Sequence, residues 1–300
     1  MKAENKILKF SAFGGLFFAI LGIAWGWAIK SEMIQFDGLY SFISLGLALF
    51  AIIATNFINK SDINKYPFGK CNLEPIIVII KSLILLVMCS VTMFSAIKQV
   101  INGGNNVDEG FALGYALISS IGCTWIYFYM RKASKNLNSE IVKVESSQWF
   151  MDAMLSVGVL VGFLLSMSLK YIGLYKISIY VDPGMVILSS IIFIKMPITS
   201  TIEAFKELIY STANEEINYD IIKLVKEIEK EYNLEDSISR VVKIGRELRI
   251  EIDFIISNES KIKSIDDMDK VREIIDKNTN HFDLKKWLNI SFTKNKKWAI

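Results

Sequence analysis

The amino-acid sequence predicts an α-helical membrane protein with six transmembrane helices, followed by a C-terminal cytoplasmic α+β domain. Of its 300 residues, 52% are apolar and the mean hydropathy is +0.37, both high for a soluble protein. The apolar residues are concentrated in the first 210 positions, and charged residues become frequent after them. We therefore predict a membrane domain over residues 1–210 and a soluble domain over residues 211–300.

The composition excludes most catalytic templates. The chain has one histidine, His281 in the soluble tail, so neither a histidine-based catalytic triad nor an intramembrane histidine relay can form. Its three cysteines form no CxxC pair, and Cys89 and Cys123 fall within apolar runs, where we interpret them as small buried side chains. We predict no enzymatic activity and no prosthetic group.

Six stretches are long and apolar enough to cross a bilayer core, which takes roughly 20 residues per helix. Lysines and arginines are concentrated before the first, third and fifth stretches, where they include Lys9, Lys70 and Arg131. The positive-inside rule then predicts that both termini are cytoplasmic and that the protein is a multi-pass protein of the cell membrane. The stretches cover residues 8–29, 33–58, 73–101, 109–130, 141–170 and 178–197.

Glycine, aspartate and proline residues predict where two of these helices pack closely, begin or end. Gly22 and Gly26 have the GxxxG spacing that lets helix backbones approach closely, which we interpret as generic packing. Asp182 and Pro183 open the sixth span, and we expect Asp182 to cap the free N–H groups of its own helix in a structural role. Pro197 is expected to kink or end that helix.

Two pairs of polar residues lie inside the second and fifth spans. Asp37 precedes Ser41 by four residues, and Gln148 precedes Asp152 by four. Residues four apart lie on one face of a helix, one turn apart. An aspartate near the bilayer centre costs about 2.5–3.5 kcal/mol on insertion scales, so these pairs indicate a functional site. An aspartate at the membrane interface would avoid most of that cost, and Asp37 lies near the start of its span.

These pairs and the motifs around them resemble the cation diffusion facilitator family of metal-ion transporters. In that family the second and fifth helices carry metal ligands four residues apart, as Asp37-Gly-Leu-Tyr-Ser41 and Gln148-Trp-Phe-Met-Asp152 do here. The loop from Tyr66 to Glu74 is similar to the family's HPFGHGKAE signature, and Asp182 begins the family's Asp-Pro pair. The resemblance covers nearly the whole chain and implies a homodimeric transporter whose soluble domain has a ferredoxin-like, metallochaperone-like fold.

The departures from the family pattern concern the ion. The resemblance implies that Asp37, Ser41, Gln148 and Asp152 are the metal ligands, and Gln148 stands where zinc-handling members usually have histidine. All four side chains offer oxygen donors, which suit Mg²⁺, Mn²⁺ and Ca²⁺, whereas zinc prefers sulfur and nitrogen. We therefore predict a divalent cation such as Mn²⁺, Mg²⁺ or Fe²⁺ as the substrate, and zinc is disfavoured.

Charge balance predicts how transport is coupled. Two carboxylates neutralise one divalent cation, whereas a monovalent ion would leave negative charge uncompensated in a medium of low dielectric constant. Asp37 and Asp152 can also take up two protons when the ion leaves, so we hypothesise export of a divalent cation in exchange for protons. The alternative is a non-transporting member of the same family, in which Ser41 and Gln148 mark a decayed metal site and the protein acts as an interaction or regulatory partner.

The soluble tail has the order helix, strand, strand, helix, strand, which predicts a small α+β domain. Its positive and negative charges nearly cancel, which argues against nucleic-acid binding. The family resemblance implies that this domain dimerises. We interpret its one histidine, His281, as a surface residue, so we expect no zinc sensing. The predicted elements cover residues 217–232, 238–244, 248–256, 268–275 and 287–292.

Overall fold

The computed structural model describes residues 2–60, 62, 64–137, 140–282 and 284–299. These residues form two compact units. The first unit contains the described residues up to 53 together with residues 81–199, and the second contains the described residues of 54–80 and 200–300. The domain boundary at residue 210 stays a prediction.

Six helical segments of the described chain are long and apolar enough to cross a membrane, and this part of the prediction is confirmed. Many of their large apolar side chains are exposed, among them Phe13 and Phe94 at 71% each, as a lipid-facing surface requires. The helices are α1 (Lys2–Ala28), α2 (Glu32–Asn59), α3 (Leu73–Ile101), α4 (Glu109–Leu137), α5 (Glu140–Tyr171) and α7 (Val181–Leu208), with the short helix α6 (Tyr175–Ser178) before α7.

Pro197 does not end the last long helix. We expected a kink or an end there, but α7 continues through Pro197 to Leu208. A proline removes one backbone hydrogen bond, and membrane helices tolerate this because neighbouring groups satisfy the freed carbonyl.

Asp182 does not cap its own helix, so our prediction of its partner is wrong. Its carboxylate, only 3% exposed, accepts hydrogen bonds from the Glu32 and Met33 N–H groups at the start of α2, at 3.0 and 3.3 Å. The Ser31 hydroxyl donates to it at 2.6 Å and the Asn105 amide at 3.0 Å. Asp182 on α7 therefore caps α2, because the fold brings the exposed amide groups of that helix within its reach.

The glycines of α1 allow a close and specific approach to α2. A Cβ atom on Gly22 would lie 2.8 Å from the Gly38 Cα and 2.8 Å from the Tyr115 hydroxyl, where ordinary contacts begin at 3.4 Å. A Cβ atom on Gly26 would lie 2.6 Å from a backbone nitrogen of α2. Gly38 directly follows Asp37, so this contact positions Asp37 and is more than the generic packing that we predicted.

We expect the substitution Gly22→Ala to lower the free energy of unfolding by about 1–3 kcal/mol, because the added methyl group meets the backbone of Gly38. Thermal unfolding in detergent measures the effect. Gly46→Ala on α2 is the matched control, since its Cβ would meet nothing within 4 Å. Equal melting temperatures for the two variants would contradict the close contact between α1 and α2.

The second unit has the predicted α+β order. Its elements are α8 (Glu215–Tyr232), β1 (Asp236–Ile244), β2 (Glu247–Ile255), α9 (Ile265–Asn278) and β3 (Lys285–Thr293). Strand β2 lies in the middle, antiparallel to β1 and parallel to β3. This chain order is that of a ferredoxin-like βαββαβ unit after its first strand. Alternate residues of β2 fill the core and are at most 1% exposed, namely Leu248, Ile250, Ile252 and Phe254.

Candidate metal site

All four predicted site residues line one cavity of about 60 Å³ in the first unit. Helix α2 contributes Asp37 and Ser41, and helix α5 contributes Gln148 and Asp152. The spacing of four residues places each pair on one helix face, and the fold turns both faces toward the same space. The cavity is large enough for an ion with one or two water molecules.

Asp37 is almost fully enclosed. The residue is only 6% exposed. The Tyr115 hydroxyl of α4 donates a hydrogen bond to one oxygen of its carboxylate at 2.7 Å. Among the described residues, no ion pair within 4.0 Å involves Asp37 or Asp152. Two of the carboxylates that line this small cavity, Asp37 and Asp152, therefore have no ion-paired basic partner in the described part of the chain.

Hydroxyl and amide groups form much of the cavity wall. Gln148 donates a hydrogen bond from Nε2 to the Ser44 hydroxyl at 3.0 Å, so its carbonyl oxygen is the end of the amide that suits a cation. The hydroxyls of Ser119 and Ser156 lie 2.7 Å apart in the same wall. These are weak oxygen donors of the kind that complete the shell of a hard cation.

Cys123 also lines this cavity, which we did not predict. It is 4% exposed, as expected for a small buried side chain, but its sulfur lies 3.9 Å from the hydroxyls of Ser119 and Ser156. A single sulfur thus stands beside the oxygen donors. Within the described part of the chain, however, no group of three or more His, Cys, Asp and Glu side chains is arranged to hold a metal.

Other residues of the cavity escaped the prediction from sequence. Ser119 on α4 lines the cavity, and Tyr115 on the same helix donates to Asp37; neither gave a local signal, because polar side chains of that size are common in apolar helices. Glu145 did give one: it precedes Asp152 by seven residues and so lies two turns away on the same face of α5. Ser44 follows Asp37 by the same spacing on α2.

Lys70 of the loop signature has a structural role in the second unit. Its ammonium group donates to the carbonyl oxygens of Phe57 and Lys60 at 3.1 and 2.9 Å, where α2 ends. It also lies 4.1 Å from the centre of the Phe57 ring. A cation at this place satisfies the last carbonyls of the helix and opposes the negative end of its dipole.

Cys71 and His281 also belong to the second unit. Burial raises the pKa of the Cys71 thiol, and the neighbouring Glu247 carboxylate raises it further, which keeps the thiol protonated and a poor metal ligand. The Arg249 guanidinium donates to Glu247 at 2.8 Å and lies 3.1 Å from the Cys71 sulfur. His281 is exposed, and its Nδ1 lies 2.9 Å from the carbonyl oxygen of Asn278.

The fold and the cavity together define a multi-pass membrane protein with an acidic cavity between its spans. The family described as "Cation efflux transmembrane domain" matches residues 8–209. The chain belongs to this family, the cation diffusion facilitators, as its motifs indicated.

Similarity to curated relatives is low but extends over more than half of the chain. The chain is 22% identical to the magnetosome protein MamM of Magnetospirillum gryphiswaldense over 200 residues, which are 66% of this chain and 60% of that protein. It is 24% identical to an uncharacterized transporter of Methanocaldococcus jannaschii over 165 residues, 55% of this chain and 58% of that protein. The chain thus spans about 60% of the length of the curated relatives it matches.

Proposed function

We propose that this protein is a secondary active transporter that exports divalent metal cations from the cytoplasm by proton antiport. The ligands in this proposal are Asp37, Ser41, Gln148 and Asp152. The observation that carries it is the pair of aspartates that line one small cavity and that form no ion pair within 4.0 Å with any described basic side chain. Membership of the cation efflux family supports it.

Two carboxylates inside a membrane span are costly unless their charge is neutralised. Each buried carboxylate costs about 2.5–3.5 kcal/mol to insert near the bilayer centre, so the pair is retained only if something neutralises it. One divalent cation does so completely, whereas one monovalent cation does not. Two protons also do so, and this makes the same two groups suited to exchange an ion for protons.

The donor set supports a hard or borderline cation. Carboxylate, hydroxyl and amide oxygens suit Mn²⁺, Mg²⁺ and Fe²⁺, and the amide of Gln148 offers an oxygen where an imidazole would favour zinc. The sulfur of Cys123 is the one soft donor that we identify in the cavity wall. A Cys123→Ser variant therefore tests whether sulfur contributes to selectivity.

The proposal includes the arrangement of the protein in its membrane. Lysine and arginine are concentrated on one side of the spans, which supports cytoplasmic termini in the cell membrane. We further propose that the protein acts as a homodimer through its second unit.

Flux into proteoliposomes tests the proposed function directly. We expect the full chain to drive uptake of Mn²⁺ into vesicles with an acidic interior, with protons leaving as the ion enters, and to transport Mn²⁺ faster than Zn²⁺. Abolishing the pH gradient should slow the uptake severalfold. Flux no greater than in protein-free vesicles, for Mn²⁺, Mg²⁺ and Fe²⁺ alike, would reject transport in favour of the decayed-site alternative.

A second readout examines the site without flux. A cysteine introduced at Ser41 should be protected from thiol reagents by Mn²⁺, in a background where Cys71, Cys89 and Cys123 are replaced by serine. A decayed site should show no protection. The two outcomes therefore separate a transporter from a non-transporting relative on the same fold.

A further inference from the structure

The polar face of α5 extends beyond the predicted ligands. Glu145 lines the same cavity as Gln148 and Asp152, at positions i, i+3 and i+7 of one helix. At about 1.5 Å of rise per residue, Glu145 lies roughly 10 Å from Asp152 along the axis, toward the first residues of α5. The cavity thus has a third carboxylate at one end.

Helix α1 holds Glu145 in place through Ser11. The Ser11 hydroxyl donates to Glu145 Oε1 at 2.6 Å, and the indole N–H of Trp149 donates to the Ser11 oxygen at 2.7 Å. Ser11 and Trp149 line the cavity as well. A carboxylate oxygen and a hydroxyl oxygen therefore stand next to each other at the end of the cavity, and both are donors that a divalent cation accepts.

We propose that Glu145 and Ser11 form an access site, which binds the divalent cation before it passes to Asp37 and Asp152. The inference rests on the proposed function, since it adds a step to transport through the same cavity. In the proposed orientation α5 starts on the cytoplasmic side, so the access site faces the compartment from which the ion is taken.

Electrostatics explains why such a site would matter. A carboxylate at the mouth of a low-dielectric cavity raises the local concentration of cations, and clefts of one sign accelerate association by about 10 to 1,000-fold. Glu145 and Asp152 line the same cavity, so the positive ion would move between negative groups at both ends of a short path. The access site thus increases capture of the ion without forming part of the tightest site.

Transport kinetics test the access site. We expect Glu145→Gln to raise the KM for Mn²⁺ about tenfold in proteoliposomes while kcat stays within about twofold, because the lost charge acts on capture. Glutamine keeps an oxygen that accepts the Ser11 hydrogen bond. Glu145→Asp keeps the negative charge, so its KM should stay close to that of the wild type. Glu203→Gln, at an exposed glutamate, is the charge-matched control and should behave as wild type.

An unchanged KM for Glu145→Gln would overturn the access site. A fall in kcat or in thermal stability at that unchanged KM would further indicate a purely structural link between α1 and α5.

An equilibrium measurement separates this inference from the proposed function. In an Asp37→Asn/Asp152→Asn background, weak Mn²⁺ binding detected by electron paramagnetic resonance should remain and should disappear when Glu145→Gln is added. If the wild type shows no flux, the proposed function fails, and this binding measurement alone decides the access site. Mn²⁺ binding that is identical with and without Glu145→Gln would reject it.

Discussion

Replacing Asp152 by asparagine is expected to reduce Mn²⁺ flux at least about 100-fold. The change removes one of two negative charges that would balance a divalent cation in a cavity buried between helices. Leaving a buried charge without its partner costs about 3–5 kcal/mol, and each 1.4 kcal/mol corresponds to a factor of ten in binding. Asp37→Asn should have an effect of the same order, since the second carboxylate carries half of the compensating charge.

The asparagine variants are designed to change charge with little change in shape. An asparagine at position 37 can still accept the hydrogen bond of the Tyr115 hydroxyl, which measures 2.7 Å in the wild type. The melting temperature in detergent should therefore be retained. Asp220→Asn, at an exposed aspartate of α8, is the matched control and should leave flux unchanged. Flux within twofold of wild type in either cavity variant would remove that aspartate from the proposed mechanism.

Asp182→Ala is expected to cause the largest loss of stability, at least about 3 kcal/mol of the free energy of unfolding. Four donors lose their acceptor together: the hydroxyl of Ser31, the amide of Asn105 and two backbone N–H groups of α2. A buried donor left unsatisfied costs about 1–3 kcal/mol; the hydrogen bonds from Ser31 and Met33 are buried, and those from Glu32 and Asn105 are partly buried. Thermal unfolding in detergent measures the loss.

A comparison with Asp108 shows whether burial causes this effect. Asp108 caps α4 by accepting hydrogen bonds from the Gly110 and Phe111 N–H groups at 3.0 and 3.3 Å, but it is exposed. Loss of such a cap costs about 1 kcal/mol, because water replaces the carboxylate. Asp182→Ala should therefore melt well below Asp108→Ala, and equal melting temperatures would contradict the buried cap.

Most of the architecture could be predicted because its signals are local. The six spans follow from the length of apolar runs, and β2 follows from the alternation of Leu248, Ile250, Ile252 and Phe254 with polar residues. The spacing of Asp37 and Ser41, and of Gln148 and Asp152, places each pair on one helix face without any knowledge of the fold. That the two faces meet at one cavity is a property of the tertiary structure.

The features that could not be predicted share a physical cause. Capping rules consider only neighbouring residues and therefore predict that Asp182 caps its own helix, whereas its donors lie 77 to 151 positions away in the chain. Cys123 is buried, as its apolar surroundings predict, but the cavity that its side chain lines cannot be predicted from an apolar run. Glu145 precedes Asp152 by seven residues, so the sequence places both on one face of α5. Only the structure shows that Glu145 lines the cavity and is not simply a charged residue at the membrane interface.

The sequence by itself therefore determined the membrane-spanning helices, the order of the α+β unit, the family and two polar helix faces, because all of these depend on residues a few positions apart. Only the tertiary structure decided which side chains share the cavity, which hydroxyl contacts Asp37 and which helix Asp182 caps. Those outcomes depend on contacts between distant segments, and no local pattern of hydrophobicity or spacing encodes such contacts.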